Sequence, residues 1–306
     1  MAKQASGYVW LDGKFVNWGD AKVHLLTHSL QYGSGVFEGI RCYNTKKGPA
    51  IFRLREHMCR FMQSMKIYGM VPKFTQRQLE EAALSTISKN NLPDAYIRPF
   101  AFYPDAGIGF NVRGKSTSIA MMALRFVSLF AGHNKGIRCK TSTWLRINSS
   151  AIPAAAKASG NYINSILASK EANDSGYDEA ILMAESGLVA EGPGENIFIV
   201  QDNILITPPK SANILLGITR DSILRLAKAE GIKAVERDIR KEELYTSDEV
   251  FFAGTAAEIT PIISVDSRIV GDGVPGRLAT SLASKYSRAV RGEDRRFTAW
   301  LSYIKS

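Results

Sequence analysis

The sequence lacks the cysteine and histidine patterns of disulfide-linked or zinc-binding proteins. Its three cysteines, Cys42, Cys59 and Cys139, are odd in number and include no Cys-x-x-Cys pair, so neither a disulfide framework nor a zinc site is predicted. His24 and His28 are four residues apart, but the glutamate of a zinc-protease helix is missing between them. We therefore expect no metal and interpret both histidines as structural.

Long apolar runs and glycine-rich fingerprints are also missing. No segment reaches the roughly 20 apolar residues of a membrane span, and the amino terminus carries no long apolar run. We therefore expect a soluble, cytoplasmic protein with no membrane partner. No Gly-x-Gly-x-x-Gly pattern follows a predicted strand, so a Rossmann dinucleotide site lacks its signature.

Acidic residues are outnumbered, since 39 Lys and Arg against 29 Asp and Glu give a net charge of +10. Such a charge raises nucleic acid as a partner, because Lys and Arg neutralise phosphates. The basic residues are spread out, however, and concentrate only near the end, at Lys285, Arg288, Arg291, Arg295 and Arg296. We interpret the excess as solvated surface and expect no nucleic acid, with a nucleic-acid-binding module as the alternative from another class.

The chain has the length and composition of a globular protein with two domains. Of its 306 residues, 45% are hydrophobic and 22% are charged, which is enough for sizeable cores. Strand and helix patterns alternate in residues 1–125, the predicted small N-terminal α/β domain. Periodicity is lost in residues 126–136, the predicted interdomain loop, and residues 137–306 form the predicted large C-terminal domain. Ligand sites are common at such interfaces.

Several elements can be predicted from local patterns. Asp12-Gly13 between two short apolar segments predicts a β-hairpin. Periodicity and capping residues predict helices at 55–68, 75–89, 161–175 and 218–230, and strands at 95–102 and 118–124. In the helix at 161–175 we expect Ile163, Ile166, Leu167 and Ala168 to face inward.

One lysine, Lys157, lies among small apolar residues in the segment 154–162. Burial disfavours the charged form of an amine, so such a lysine can become a nucleophile near neutral pH. On this segment alone, a surface lysine in an alanine-rich turn is the better explanation, and the rest of the chain decides between the two.

Four other features match the needs of one cofactor. Residues 191–196 form a Gly/Pro turn with two carboxylates, and Gly217 precedes a helix whose first N–H groups can bind an anion. Residues 253–257 end a strand with small residues, and Arg60 can bind a phosphate or carboxylate. Each feature alone has an ordinary structural explanation. Together with Lys157 they indicate pyridoxal 5'-phosphate (PLP), which needs partners for its aldehyde, ring nitrogen and phosphate.

These segments resemble those of branched-chain amino acid aminotransferases, which are fold-type IV PLP enzymes. The matching segments, in the same order over nearly the whole chain, are Phe37–Arg41, Tyr96–Pro99, Lys157–Tyr162, Glu191–Asn196, Gly217–Asp221 and Gly254–Glu258. The resemblance implies an α+β, two-domain fold like that of D-amino acid aminotransferase, with the cofactor between a small N-terminal and a large C-terminal domain. It also implies ping-pong transamination between branched-chain L-amino acids (Leu, Ile, Val) and 2-oxoglutarate, giving branched-chain 2-oxo acids and L-glutamate.

The resemblance assigns cofactor-binding roles to particular residues. It implies that Lys157 holds the cofactor as an internal aldimine and, once freed, moves the proton between Cα and the cofactor's C4′. It implies that Glu191 contacts the pyridine nitrogen and favours the protonated ring. The other implied contacts are those of Arg60, Ile218, Thr219 and Thr255 with the phosphate, of Tyr162 with O3′, and of Leu215 with the ring face, supported by Glu195 and Asn196.

The resemblance also implies a pocket that accepts both aliphatic side chains and glutamate. Arg98 is the implied partner of the γ-carboxylate of glutamate or 2-oxoglutarate, and Arg41 supports the pocket. The other implied substrate contacts are those of Tyr32, Phe37, Tyr96 and Tyr162 with the side chain, of Gly39 beside it, and of Tyr96, Thr255 and Ala256 with the α-carboxylate. A loop of the neighbouring subunit closes the pocket in this family, which implies a homodimer or a hexamer built as a trimer of dimers.

The chain departs from the family pattern in a few places. The link 125–130 is shorter and lacks the Trp and Tyr expected there, while Ser159 and Leu216 stand where glycine and proline are common. Neither of these two substitutions removes a chemical group. D-amino acid aminotransferase, R-selective amine aminotransferase and aminodeoxychorismate lyase share the fold and are the alternatives. The Tyr96-x-Arg98 pattern and the segment 254–257 favour the branched-chain L-enzyme.

Overall fold

The computed structural model describes residues 7–104, 107–126, 129–130 and 135–304. The strands in this part of the chain are β1 (Tyr8–Leu11), β2 (Lys14–Asn17), β3 (Val36–Phe37), β4 (Ile40–Thr45), β5 (Gly48–Phe52), β6 (Ala95–Phe102), β7 (Ser118–Leu124), β8 (Ile137–Leu145), β9 (Glu179–Met183), β10 (Val189–Glu191), β11 (Asn196–Gln201), β12 (Ile204–Thr207), β13 (Ala234–Glu236), β14 (Glu249–Gly254), β15 (Glu258–Val265), β16 (Arg268–Ile269) and β17 (Leu301–Tyr303). The helices are α1 (His28–Tyr32), α2 (Leu54–Ile67), α3 (Gln76–Asn90), α4 (Tyr162–Asp174), α5 (Ile218–Ala229), α6 (Glu243–Thr246) and α7 (Arg277–Val290). The mixture of helices and strands confirms the α+β expectation.

The chain divides into two compact units. The first unit comprises Met1–Val127, Ala156–Gly160 and Ala289–Ser306, and the second comprises Ser128–Ala155 and Asn161–Arg288. The sequence-based boundaries assigned Ala156–Gly160, which contains Lys157, and Ala289–Ser306 to the second domain, whereas both ranges are grouped here with the first unit. Within the predicted interdomain loop 126–136, residues 127, 128 and 131–134 lie outside the described residues.

The first unit contains an antiparallel sheet, in which the described strands run in the order β17-β5-β4-β6-β7-β1-β2, with β3 paired to β6. The hairpin β1–β2 turns through Asp12 (φ 47°) and Gly13 (φ 93°), and it confirms the hairpin predicted from these two residues. β17 pairs antiparallel with β5, with Leu301 opposite Phe52. This pairing explains why the end of the chain belongs to the first unit.

Helices α2 and α3 bury their apolar faces in the first unit's core. Met58, Phe61 and Met65 on α2 and Leu79 on α3 are fully buried within one cluster. Thr75 caps α3 by accepting a hydrogen bond from Gln78 N, and the Gln78 side chain accepts one from Thr75 N in return. The helices predicted at 55–68 and 75–89 are therefore confirmed to within one residue at each end.

The second unit contains a mixed sheet with the described strands in the order β10-β9-β8-β15-β14-β11-β12-β13, and β16 pairs with β15. β8 is parallel to both β9 and β15, while β14 is antiparallel to β11 and β15. The sheet buries a core that includes Ile181, Ile197 and Phe252. Among the described helices of the chain, none is long and apolar enough to cross a membrane.

Helix α4 corrects one sequence-based expectation. Ile163, Ile166 and Leu167 are 60%, 64% and 37% exposed, so the prediction that they face inward was wrong. The buried face of α4 consists of Ser165, Ala168 and Ala172. Ala168 and Ala172 pack with residues of β9, because small side chains let a helix approach a sheet closely.

Candidate active site

The backbone of Lys157 is fixed at both of its polar groups within the first unit. Its N–H donates to the Ser64 hydroxyl (3.0 Å), and its carbonyl accepts from Phe37 N (2.9 Å). Beyond it, Ser159 N donates to Gly35 O at 2.8 Å and Gly160 N donates to Gly33 O at 2.9 Å. Residues 157–160 are therefore hydrogen-bonded to residues 33–37, with an isolated β-bridge between Val36 and Ala158.

The side chain of Lys157 is half-buried, and its ammonium nitrogen lies 5.0 Å from the centroid of the Phe37 ring. Glycines allow this close approach of two backbones. Gly33 has φ 65°, and a Cβ built on it would lie 3.1 Å from the Cα of Gly160. A side chain at Gly33 would thus be strained and would push the lysine segment away.

Arg60 projects from α2 into a buried polar cluster. Its Nε and Nη2 donate to the two carboxylate oxygens of Glu38 at 2.6 and 2.8 Å. His57 Nδ1 lies 2.8 Å from the same carboxylate. Burial alone would raise the pKa of Glu38, but the charge of Arg60 and the His57 hydrogen bond outweigh it and hold that pKa below its usual range. Burial lowers the pKa of His57, so its ring is neutral at pH 7.

Phe37, Gly39 and Tyr96, three of the predicted substrate residues of the first unit, lie around Arg98. Its guanidinium lies 4.5 Å from the Phe37 ring centroid and 5.3 Å from that of Tyr96, and its Nη2 donates to the Tyr96 hydroxyl at 3.2 Å. Gly39 makes room for this hydroxyl, since a Cβ on Gly39 would lie 1.9 Å from it. Phe37, Gly39, Tyr96 and Arg98 therefore form one contiguous group.

Tyr32 and Phe126 are two further aromatic residues of the first unit, and they have different neighbours. Tyr32 accepts from Gly109 N at 3.2 Å, and its ring lies 5.5 Å from that of Phe110, so its contacts are with the loop before β7. Phe126 packs its ring 5.2 Å from Tyr96, and the Arg41 guanidinium lies 5.3 Å from the Phe126 centroid. The link that lacks the expected Trp and Tyr thus still contributes an aromatic side chain.

In the second unit, Glu191 is a buried carboxylate whose contacts include Arg146, Leu215 and Asn196. Arg146, itself buried, places its Nε 2.7 Å from Glu191 Oε1. Leu215 N donates to the same carboxylate at 3.1 Å, and so does Asn196 Nδ2 at 3.1 Å. Asn196 also donates to the carbonyl of Leu215 at 2.9 Å, so it ties Glu191 to the segment that leads into α5.

Two glycines bring the three predicted motifs of the second unit together. A Cβ on Gly217 would lie 2.0 Å from Asn196 Oδ1, and a Cβ on Gly254 would lie 3.3 Å from Glu195 Cγ. The start of α5 and the end of β14 therefore both pack directly against the turn 191–196. Larger residues at either glycine would separate these motifs.

The start of α5 has the features of an anion site. Its N-cap, Gly217, offers no side chain to cap the helix, and the first turn of a helix is a common place for an anion to bind. Ile218 and Thr219 are buried there. Thr255 and Ala256 are half-buried in the turn after β14, and Tyr162 is half-buried as the first residue of α4. Ala256 O accepts from Leu129 N at 3.0 Å.

Sequence reasoning did not find several groups that surround these residues. The structure adds Glu38, His57 and Ser64 beside Arg60 and Lys157, and it adds Arg146 beside Glu191. The sequence could have indicated that the three residues on α2 lie together, because His57, Arg60 and Ser64 follow the three- and four-residue spacing of one helix face. No local pattern marks Arg146, which is 45 residues from Glu191.

The donors and acceptors present fit PLP. Lys157 offers an amine for the aldehyde, and the buried Glu191 offers a carboxylate for the pyridine nitrogen. The uncapped start of α5 and Arg60 offer N–H groups for a phosphate. Among the described residues, no group of three or more His, Cys, Asp or Glu side chains could hold a metal ion.

Comparison with known proteins identifies the family. The model of the amino-transferase class IV family matches residues 35–265. The chain belongs to this family. The predicted fold type and the predicted transamination with PLP are thereby confirmed, and the D-amino acid alternative is not favoured.

Similar proteins match this class IV aminotransferase over its full length. A curated branched-chain-amino-acid aminotransferase of Salmonella typhimurium is 43% identical over 309 residues, covering 100% of both chains. The crystal structure of the Escherichia coli branched-chain amino acid aminotransferase is 44% identical with a TM-score of 0.96, covering 98% of this chain and 100% of that one. The branched-chain amino acid aminotransferase from Thermobaculum terrenum, solved in its PLP-bound holo form, is 35% identical with a TM-score of 0.93, covering 99% and 100%.

Proposed function

We propose that this chain transfers amino groups between the branched-chain L-amino acids Leu, Ile and Val and 2-oxoglutarate, giving branched-chain 2-oxo acids and L-glutamate. The observation that carries the proposal is the position of Arg98 against the rings of Phe37 and Tyr96. An aromatic wall accepts an aliphatic side chain, while the guanidinium set into it can pair with the γ-carboxylate of glutamate. Full-length similarity to branched-chain amino acid aminotransferases supports the same substrates.

Lys157 has the catalytic role in this proposal. PLP, when bound, supplies an electron sink that makes the Cα proton of the amino acid acidic. The amine of Lys157 binds the cofactor and, after the amino acid displaces it, carries the proton between the substrate Cα and the cofactor. Hydrogen bonds to Ser64 and Phe37 hold its backbone, so the amine moves about a fixed point.

The other predicted cofactor-binding residues keep their roles in this proposal. Glu191 keeps a proton on the pyridine nitrogen, and Arg146 keeps Glu191 anionic. The other cofactor contacts are those of Arg60, Ile218, Thr219 and Thr255 with the phosphate, of Tyr162 with O3′ and of Leu215 with the ring face. The substrate contacts are those of Tyr32, Phe37, Gly39, Tyr96, Arg98, Thr255 and Ala256.

We infer that the chain acts as a homodimer or as a trimer of dimers in the cytoplasm. Large exposed apolar side chains support an assembly, since Ile108, Phe110 and Ile166 are 83%, 86% and 64% exposed. The three free cysteines agree with a compartment where thiols stay reduced. Light scattering at several protein concentrations measures the assembly, and a monomer at all of them contradicts the inference.

A panel of half-reactions tests the proposed substrates. The visible absorbance of the holoenzyme should bleach on adding L-leucine or L-glutamate, return with 2-oxoglutarate, and stay unchanged with D-alanine or an R-amine. Lys157→Ala should abolish both changes, whereas Lys170→Ala, which removes a 68% exposed lysine, should not. Bleaching by D-alanine or the R-amine without bleaching by L-leucine would overturn the proposal.

A further inference from the structure

Glu38 stands out as a fully buried carboxylate to which the chemistry described above assigns no role. It lies between β3 and β4, is 0% exposed, and contacts two side chains of α2. Arg60 donates to it through Nε and Nη2, at 2.6 and 2.8 Å, and His57 lies 2.8 Å away. Gly39 N donates to the same carboxylate at 3.2 Å.

The arrangement around Glu38 fixes the plane of the Arg60 guanidinium. Two parallel N–H···O bonds from one edge of a guanidinium to both carboxylate oxygens set its direction as well as its position. A carboxylate anion only accepts, so Nδ1 of the neutral His57 carries the hydrogen and donates it. With its oxygens held from three sides, Glu38 cannot rotate, and Arg60 cannot rotate with respect to it.

The same helix also holds the catalytic lysine. Ser64 lies four residues after Arg60, one turn along α2, and its hydroxyl accepts from the Lys157 backbone at 3.0 Å. Phe37, which directly precedes Glu38, donates to the Lys157 carbonyl. Hydrogen bonds therefore fix both Arg60 and Lys157 relative to α2 and to residues 37–38.

We propose that Glu38, held by His57, is a positioning residue that sets the Arg60 guanidinium for the phosphate of PLP. This inference rests on the proposed function, in which Arg60 binds that phosphate. Because the charges of Glu38 and Arg60 cancel within the pair, Arg60 contributes through the direction of its N–H groups more than through net charge. A change at Glu38 that disturbs direction should therefore weaken binding of the phosphate and not of the pyridine ring.

Equilibrium binding to the apoenzyme tests this inference without measuring turnover. PLP and pyridoxal, which lacks the phosphate, are titrated separately into the wild type and the variants. The quantity compared is the ratio of the dissociation constant for pyridoxal to that for PLP. Glu38→Gln should weaken PLP binding about tenfold, equal to about 1.4 kcal/mol, and leave pyridoxal binding within about twofold. In an Arg60→Gln background the same change should have no further effect on the ratio, because the two residues act as one unit.

Two further variants separate position from charge and from stability. Glu38→Asp keeps the negative charge but shortens the side chain by one methylene, so it should also reduce the ratio of the pyridoxal and PLP dissociation constants. This variant replaces Glu38→Gln in the test if Glu38→Gln does not fold. Glu179→Gln, which alters a buried carboxylate of the second unit, should leave the ratio unchanged. An equal ratio in wild type, Glu38→Gln and Glu38→Asp overturns the inference. A wild type that binds PLP and pyridoxal equally overturns the proposed phosphate role of Arg60 instead.

Discussion

The Nε atom of Arg146 lies 2.7 Å from a carboxylate oxygen of Glu191, and both side chains are buried. An arginine cannot lose its charge in a protein, so the pair keeps Glu191 ionised in a poorly solvated place. Glu191 also accepts from Leu215 N and Asn196, which fixes the direction of its oxygens. In the proposed function, this carboxylate is the partner of the pyridine nitrogen of PLP.

Replacing Arg146 should therefore slow catalysis. We expect Arg146→Gln to lower kcat about 10- to 100-fold, because a charged partner of a buried group is worth about 1.5–3 kcal/mol. The holoenzyme's visible absorbance maximum should move as well, since the ring nitrogen loses its proton more readily. Stopped-flow half-reactions and absorbance spectra measure both effects.

The matched control for this variant is Arg220→Gln. Arg220 is also buried and ion-paired, with Glu236 at 2.8 Å, but it does not contact Glu191 in any described bond. Its replacement should lower thermal stability and leave the absorbance maximum in place. A shift of equal size in both variants would mean that general destabilisation causes the effect.

Arg98 should discriminate between the two kinds of substrate. Arg98→Leu should slow the half-reaction with L-glutamate about 10- to 100-fold, because a charge-assisted contact with the γ-carboxylate is lost. The half-reaction with L-leucine should change much less, since the wall of Phe37 and Tyr96 remains. Arg125→Gln, at an exposed position next to Phe126, is the control. Equal losses with both amino acids would refute a γ-carboxylate role for Arg98.

Gly39→Ala should disturb the same pocket by volume alone. The added Cβ would lie 1.9 Å from the Tyr96 hydroxyl, so Tyr96 must move and its contact with Arg98 must break. We expect KM for amino acids to rise about tenfold, equal to about 1.4 kcal/mol. Gly19→Ala is the matched control, because nothing lies within 4 Å of a Cβ at Gly19. Steady-state kinetics with unchanged KM in Gly39→Ala would contradict this account of the pocket.

Acid should destabilise the first unit in two steps. The folded-state pKa of His57 is lowered, first by burial, so below about pH 6.5 the unfolded chain takes up a proton that the folded chain does not. The pKa of Glu38 is also lowered, because the charge of Arg60 and the bond from His57 outweigh burial. Its contribution is complete above about pH 4.3 and is lost as the pH falls further.

Urea unfolding between pH 7 and about pH 2 measures this loss. Glu38→Gln should be less stable at pH 7 by about 3 kcal/mol, because Arg60 loses its buried partner, and its stability should fall less below about pH 4.3 than that of the wild type. Glu81→Gln, which changes a 59% exposed carboxylate on α3, should keep the wild-type slope. A wild-type slope in Glu38→Gln would show that Glu38 does not titrate in this way.

Local patterns predicted the elements whose signals are local. The strands at 95–102 and 118–124 were placed at their observed bounds, and α3 was found from its capping residues. On α4 the prediction was right for Ala168 and wrong for Ile163, Ile166 and Leu167, because periodicity shows that an apolar stripe exists but not whether it faces the sheet or the solvent. Strands β15 and β17 were not predicted; β17 spans only three residues, and its pairing with β5 depends on residues far apart in the chain.

The same distinction holds for the candidate site. Motif residues such as Lys157 and Glu191 were found because several short segments fit one family. Their partners were not found, since the contact of Glu38 with Arg60 spans 22 residues and that of Ser64 with Lys157 spans 93. Such pairs become visible only when the chain has folded.

The pairing of β17 with β5 has a consequence for synthesis on the ribosome. Phe52 is translated long before Leu301, its partner across the two strands. Throughout that interval the nascent chain carries β5 with one unpaired side, which is a template for contacts with other chains. Pairings between residues this far apart are slow to form. A transcript truncated before codon 301 should therefore yield a product that binds chaperones or aggregates, although this product already contains Lys157 and its neighbours.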